Sequence, residues 1–246
     1  MTQETRTKKN LAKNTSGLCA NCWLADFSCF HSALESFSSD QIAKQNKAYS
    51  KGEYLIRSGD SAKGIFCIQH GLVKVSKIGK ERHEFIPWLA NEGDVIGLNA
   101  IISDETFSFS AKAISSVTAC FIPAGILQNL LVHEPHAFLT LLKGVCERLN
   151  SLENRIASFS TRKKREVLAE VLMEITSRLN PASDSKVPVQ CSIEDLAGLT
   201  GTSKNYLHKI LADFSENEIL HVHNRKVIIK NRQALSLIAA GNLNTA

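Results

Sequence analysis

The chain is most easily bounded by what it lacks. None of its 246 residues fall in an apolar run of 18 or more, so no segment reads as a membrane-spanning helix. The basic N-terminus has no apolar core behind it, and a secretory signal is not expected. No Ser/His/Asp set, paired carboxylates or Gly-rich phosphate loop stands out, so an enzyme is not expected. Cysteine is present but odd in number, at seven. Without a secretion signal that count argues against a structural disulfide framework and for a cytoplasmic protein.

Charge is modest, with a net of +5 and a sequence pI of about 8.8. That permits binding to nucleic acid without requiring it. Its distribution is more informative: net +3 over residues 1–18, −1 over 19–159 and +3 over 160–246. A polyanion-binding domain is therefore expected at the C-terminal end. Residues 1–18 are polar, basic and aperiodic and read as a disordered tail.

Four cysteines attract attention. Cys19, Cys22 and Cys29 crowd one short segment, and Cys120 lies far downstream in Thr118-Ala119-Cys120-Phe121-Ile122-Pro123. A thiolate-rich segment in a reducing compartment points to metal or redox chemistry. Three ligands on one segment and one on a strand would clamp the segment to the domain behind it. Cys67, Cys146 and Cys191 lie in apolar contexts and read as core residues.

From about 49 to 123, short apolar runs alternate with turn signals at Gly52, Gly59, Gly71, Gly79 and Gly93. Many short strands at this spacing predict a small barrel or jelly-roll-like β-roll. After Pro135 comes a long helix. Phe138, Leu142, Val145, Leu149, Leu152, Ile156 and Phe159 recur at spacings of four and three. This seam favours a two-chain coiled coil over a helix packed on its own domain. Val145, Leu149, Leu152, Ile156 and Phe159 are the expected dimer contacts.

A basic break at residues 160–165 precedes a helix from about 163 to 179, an Asn180-Pro181 stop and a polar loop through Pro188. The pattern then becomes helix, turn, helix. Ser192 and Asp195 read as a capping pair, Gly201 as the turn, and Thr202 or Ser203 as the cap of the second helix. Leu207, Ile210, Leu211 and Phe214 form one buried face of that helix. Lys204, Asn205, His208 and Lys209 then point outward. Two short strands flanking Asn224-Arg225 read as a wing, and a short helix from about 232 to 240 closes the pattern. In such a unit the start of the second helix meets base edges, where Asn pairs with adenine and Lys donates to guanine or phosphate. Thr202, Ser203, Lys204, Asn205, His208 and Lys209 are the expected DNA contacts.

These parts in this order resemble the CRP/FNR family of bacterial transcription regulators. The resemblance rests on Glu92-Gly93-Asp94-Val95-Ile96-Gly97-Leu98-Asn99-Ala100-Ile101, on Ala119–Pro123, on Leu196-Ala197-Gly198-Leu199-Thr200 and on Leu207-His208-Lys209-Ile210-Leu211. It implies an α+β chain in four parts. These are the tail at 1–18, the cysteine segment and β-roll sensor at 19–134, a dimerisation helix at 135–160 and a winged helix-turn-helix at 161–246. Cyclic-nucleotide members hold the phosphate with an Arg-Ser pair, but Val95 to Ala111 contains no Arg. The FNR type holds a [4Fe–4S] cluster on three N-terminal cysteines and one before an Ile-Pro. Cys19, Cys22, Cys29 and Cys120 match that arrangement, with one extra residue between Cys22 and Cys29.

The resemblance implies a homodimeric, oxygen- or redox-sensing regulator that binds palindromic double-stranded DNA and works with RNA polymerase. The recognition helix reads Asn205, His208 and Lys209 where FNR has Glu, Ser and Arg, so the FNR operator does not carry over. Leu152 stands near an acidic FNR position, so the dimer is expected to depend less on the cluster. Other readings stay open at this point. Zinc could sit on Cys19, Cys22, Cys29 and His31. A thiol switch or a small ligand in the roll could replace the cluster, and the chain could be a metal-binding scaffold for proteins.

Overall fold

The computed structural model describes residues 46–79, 83–133, 135–179, 188–189, 191–223 and 226–242. The expected tail, Cys19, Cys22, Cys29, His31 and the wing turn at Asn224-Arg225 lie outside the described residues.

Among the described residues, eight strands form the roll: β1 (Asn46–Tyr49), β2 (Tyr54–Ile56), β3 (Gly64–His70), β4 (Val73–Ile78), β5 (Glu84–Ala90), β6 (Val95–Ile96), β7 (Ser110–Ala113) and β8 (Val117–Pro123). They make two four-stranded sheets, β1-β8-β3-β6 and β2-β7-β4-β5. Gly52, Gly59, Gly71 and Gly93 all adopt left-handed backbone at the turns. Gly71 has a second constraint, because a Cβ there would lie 2.2 Å from the Ser116 carbonyl oxygen. Between the sheets, Phe66, Phe107, Phe109, Val73, Val75 and Ala111 close an apolar core.

Among the described residues, three helices accompany the roll. A short α1 (Leu98–Ile102) sits between β6 and β7, and α2 (Ala124–His133) leads into the long α3 (Pro135–Thr161). Neither α1 nor α2 is among the sequence expectations. α1 is too short to be told from a strand by periodicity, and α2, at 10 residues, stands at the length limit for doing so.

The C-terminal part contains α4 (Lys164–Leu179), β9 (Pro188–Val189), α5 (Ile193–Thr200), α6 (Lys204–Glu216), β10 (Leu220–His223), β11 (Lys226–Ile229) and α7 (Arg232–Ala239). The two wing strands pair antiparallel, with His223 opposite Lys226. The end of the expected polar loop is instead a third strand, β9, paired with β11. Ser192 caps α5 by accepting from the Asp195 amide, as expected. The Asp195 side chain does not complete a reciprocal box. It turns to Lys74 of β4, which donates to it at 2.5 Å.

That contact is one part of a broad junction. Leu72, Ile86, Leu89 and Ile114 of the roll share one core with Leu168 and Leu172 of α4, Leu196 and Leu199 of α5, and Leu207 and Phe214 of α6. Gly198 in α5 lies so close to β5 that a Cβ would meet the Glu84 carbonyl oxygen at 2.9 Å. Arg155 of α3 donates to the carbonyl oxygen of Leu199 at 2.6 Å, at the C-terminal end of α5 where carbonyls lack helical partners.

Candidate metal centre and DNA-binding surface

Cys120 lies on β8, which is central in its sheet, with 6% of its surface exposed. Its antiparallel partners are Asn46 on one side and Cys67 on the other. Cys67 in turn opposes Val95. The row Asn46, Cys120, Cys67, Val95 therefore runs straight across the sheet. Asn46 is the first residue of β1, so that strand begins beside Cys120. Cys29 precedes Asn46 by 17 residues. A chain spanning up to ~3.6 Å per residue has roughly 60 Å of reach, ample to return.

Among the described residues, no three His, Cys, Asp or Glu side chains gather into a metal site. An ion held by Cys120 with four ligands would therefore draw at least two of them from outside those residues. Cys120 shares its core with Ile65, Cys67, Ile101, Ile122, Leu127 and Leu141. Leu141 belongs to the first turns of α3, so Cys120 and the head of the long helix share one core. Buried Cys191 belongs to the other core, where burial pushes its thiol up to about 12 and the Asp195 charge adds to the effect. Cys146, read from sequence as a core residue, is exposed on α3.

At the far end of the row, Asp94 precedes Val95. Its carboxylate accepts from Arg148 of α3 at 2.5 Å and lies 3.8 Å from Arg178 of α4. Arg148 also lies over the Trp88 ring, 3.7 Å from its centroid. Burial lowers the Arg148 guanidinium from its ordinary value, and the Asp94 charge opposes that pull. Arg178 further donates to the Leu89 carbonyl oxygen and to Asn91 Oδ1. One turn of the roll thus grips both the long helix and α4. The sequence singled out Asp94 only within a turn motif, since its partners lie 54 and 84 residues away.

Along α3, Phe138, Leu142, Val145, Leu149 and Ile156 are exposed, with Leu149 at 54% and Ile156 at 65%. Leu152 and Phe159 differ, being half-buried against their own chain. Phe159 packs edge-on against Phe85 of β5, with centroids 6.0 Å apart. The reason is helical drift. A straight helix rotates ~20° per heptad against a strict seven-residue repeat, which carries Leu152 and Phe159 toward the face of Leu141, Arg148 and Arg155. Phe159 is thus engaged within the chain as well as standing on the seam.

On α6, Leu207, Ile210, Leu211 and Phe214 are buried as expected. Lys204, Asn205, His208 and Lys209 are exposed, while Thr202 is half-buried and Ser203 caps the helix by accepting from the Tyr206 amide. Tyr206 is also exposed, at 49%, beside Asn205. It is not among the residues expected from the sequence to meet DNA. Lys204 reaches Glu194 at 2.8 Å across the turn.

An all-antiparallel roll joined by a long helix to a winged helix-turn-helix with an open polar face is the build of a DNA-binding transcriptional regulator. Residues 46–134 match the cyclic nucleotide-binding domain, and residues 167–238 match the Crp-like helix-turn-helix domain. The chain belongs to the CRP/FNR family. It is 25% identical over 227 residues to the fumarate and nitrate reduction regulatory protein of Vibrio cholerae, covering 90% of each chain. It is 24% identical over 249 residues to electron transport regulator A of Shewanella oneidensis, covering 99% of this chain and 98% of that one. Among solved structures, FixK2 from Bradyrhizobium japonicum superimposes with a TM-score of 0.68 at 20% identity, covering 82% of this chain and 98% of that one. A CRP-family transcriptional regulator from Thermus thermophilus gives 0.70 at 19%, covering 81% and 100%. These structural likenesses concern the fold.

Proposed function

We propose that the protein is an FNR-type regulator, which holds a [4Fe–4S] cluster on Cys19, Cys22, Cys29 and Cys120 and reports oxygen or redox state to DNA. It acts in the cytoplasm as a homodimer on palindromic sites, together with RNA polymerase, and is not an enzyme. The observation that supports this reading is the pairing of Asn46 with Cys120, which puts the start of β1, 17 residues after Cys29, beside the fourth thiol. Four thiolates are the usual ligand set of such a cluster. The names of the two curated relatives, which concern fumarate and nitrate reduction and electron transport, agree with a redox signal.

When bound, a cluster supplies a cross-link between these four thiolates that oxidants can dismantle. The protein's own residues carry the rest. Cys120 and Leu141 share a core, so the tie on β8 sets how the head of α3 packs. Asp94, at the end of the same row, holds Arg148 and Arg178 and fixes α3 against α4. The exposed seam of Leu142, Val145, Leu149 and Ile156 then pairs with its copy. Pairing presents two α6 helices to half-sites ~34 Å apart, one helical turn of DNA.

A cyclic nucleotide is disfavoured as the signal. The stretch from Val95 to Ala111 supplies no Arg for its phosphate, and Phe107 and Phe109 fill the roll's interior. The test is DNA affinity measured anaerobically and again after air, with iron content followed in parallel. The reading expects both to fall together. Affinity indifferent to iron content would sink it.

A further inference from the structure

Cys67 has no part in the function proposed above, yet it stands directly opposite Cys120 in the sheet. Paired antiparallel residues put their side chains on one face, with Cα atoms ~4.5–5.5 Å apart. That lies within the ~4.4–6.8 Å over which a disulfide forms without moving the backbone. Both thiols enter the same apolar core, beneath Ile101 of α1, Leu127 of α2 and Leu141 of α3. Neither is in a disulfide. Of the other described cysteines, Cys146 is exposed on α3 and Cys191 lies in the other core, so Cys67 alone among them shares the surroundings of Cys120.

We propose that Cys67 is the redox partner of Cys120, closing a cross-strand disulfide when Cys120 holds no metal and so withdrawing it from the metal centre until a thiol reductant reopens it. The withdrawal rests on the cluster reading above, whereas the disulfide does not. Hydrogen peroxide is a sufficient oxidant. The Cys120 thiol attacks one peroxide oxygen, the O–O bond breaks, and a sulfenic acid and water form. The Cys67 thiol then attacks that sulfur, the S–O bond breaks, and a second water leaves with the thiol's proton. Two thiols and one peroxide become one disulfide and two waters. Burial of both thiols, at 3% and 6% exposed, makes the reaction wait on local opening of the three covering helices. The same opening governs its reduction, so the protein would keep a record of oxidation that outlasts the oxidant.

The experiment treats metal-free, full-length protein with hydrogen peroxide, alkylates it, and maps the peptides without reductant. The expected result is one linked pair carrying Cys67 and Cys120, lighter by two hydrogens and restored to two thiols by dithiothreitol. Oxidised wild type should then take up no iron and sulfide until reduced, and oxidised Cys67→Ala, whose Cys120 stops at the sulfenic acid, should regain uptake at a lower dose of reductant. A link from Cys120 to Cys19, Cys22 or Cys29, or Cys120 oxidised to sulfinic acid beside an intact Cys67, would overturn the proposal. If untreated wild type takes up no iron, the cluster reading fails, and the peptide map still decides the disulfide by itself.

Discussion

Lys74 of the roll donates to Asp195 of the first helix-turn-helix helix at 2.5 Å, across 121 residues of sequence and with both side chains largely out of water. Glu84 accepts from the same ammonium at 2.7 Å. Burial alone would lower the Lys74 pKa, but the hydrogen bonds and charges of Asp195 and Glu84 outweigh it and the value is raised. The ion pair is therefore a fixed bolt between sensor and DNA-binding domain at ordinary pH.

Removing one partner of such a pair leaves a buried charge and costs about 3–5 kcal/mol. Lys74→Met should lower urea-unfolding stability on that scale, and Lys74→Met with Asp195→Leu should recover much of the loss. Because the folded pKa of Lys74 is raised, its contribution is full below the unfolded value of ~10.4 and disappears as pH rises through the folded value. Stability should show no Lys74-linked change through neutral pH and fall in strong alkali. A double-variant loss equal to the sum of the losses in Lys74→Met and in Asp195→Leu would mean that the pair is not coupled.

Gly198→Ala tests the same junction by shape. A methyl group there would press on the Glu84 carbonyl oxygen at 2.9 Å and on Ile86 at 3.1 Å, and backbone cannot step aside cheaply. In an isolated helix the change would stabilise by about 1 kcal/mol. Here it should destabilise, and proteolysis between the roll and α5 should quicken. A more stable variant would mean that α5 does not dock on β5.

The recognition helix separates base reading from charge. Asn205→Ala should relax preference at one base pair per half-site, at about 1–3 kcal/mol. Lys209→Ala should weaken binding alike on all sequences and reduce the salt slope by about one. Tyr206→Ala should also weaken binding if this exposed ring meets the duplex. These are read from affinities on a panel of sites at several salt concentrations. A uniform loss for Asn205→Ala would make it a phosphate contact.

The dimer seam is best probed at Leu149 and Ile156, whose exposure in the single chain means that their loss should not harm folding. Leu149→Asp should shift sedimentation toward monomer and reduce DNA affinity, while far-UV dichroism stays unchanged. Leu152→Asp is less clean, because Leu152 is half-buried against its own chain. A Leu149→Asp protein that dimerises like wild type would leave the seam without its role.

Periodic features were legible in the sequence. The buried face of α6, the Ser192 and Ser203 caps, the wing hairpin and four left-handed glycines follow from local spacing and turn chemistry. The long-range contacts were not. Nothing local marks Lys74 as the partner of Asp195, Asp94 as the anchor of Arg148, or Cys67 as the neighbour of Cys120, because strand register and domain docking decide them. Cys146 was misread for a related reason. Its apolar neighbours belong to a seam that faces out of the chain, not to a core.

The central claim is that Cys120 completes a four-thiolate iron–sulfur site with Cys19, Cys22 and Cys29. Iron and acid-labile sulfide measured on anaerobically isolated wild type and Cys120→Ser, with visible absorption, test it most directly. The account predicts about four irons per wild-type chain, as a four-thiolate [4Fe–4S] site requires. It predicts loss of the cluster in Cys120→Ser and retention in Cys146→Ser and Cys191→Ser. A Cys120→Ser protein that keeps the full complement of iron and sulfide would contradict it.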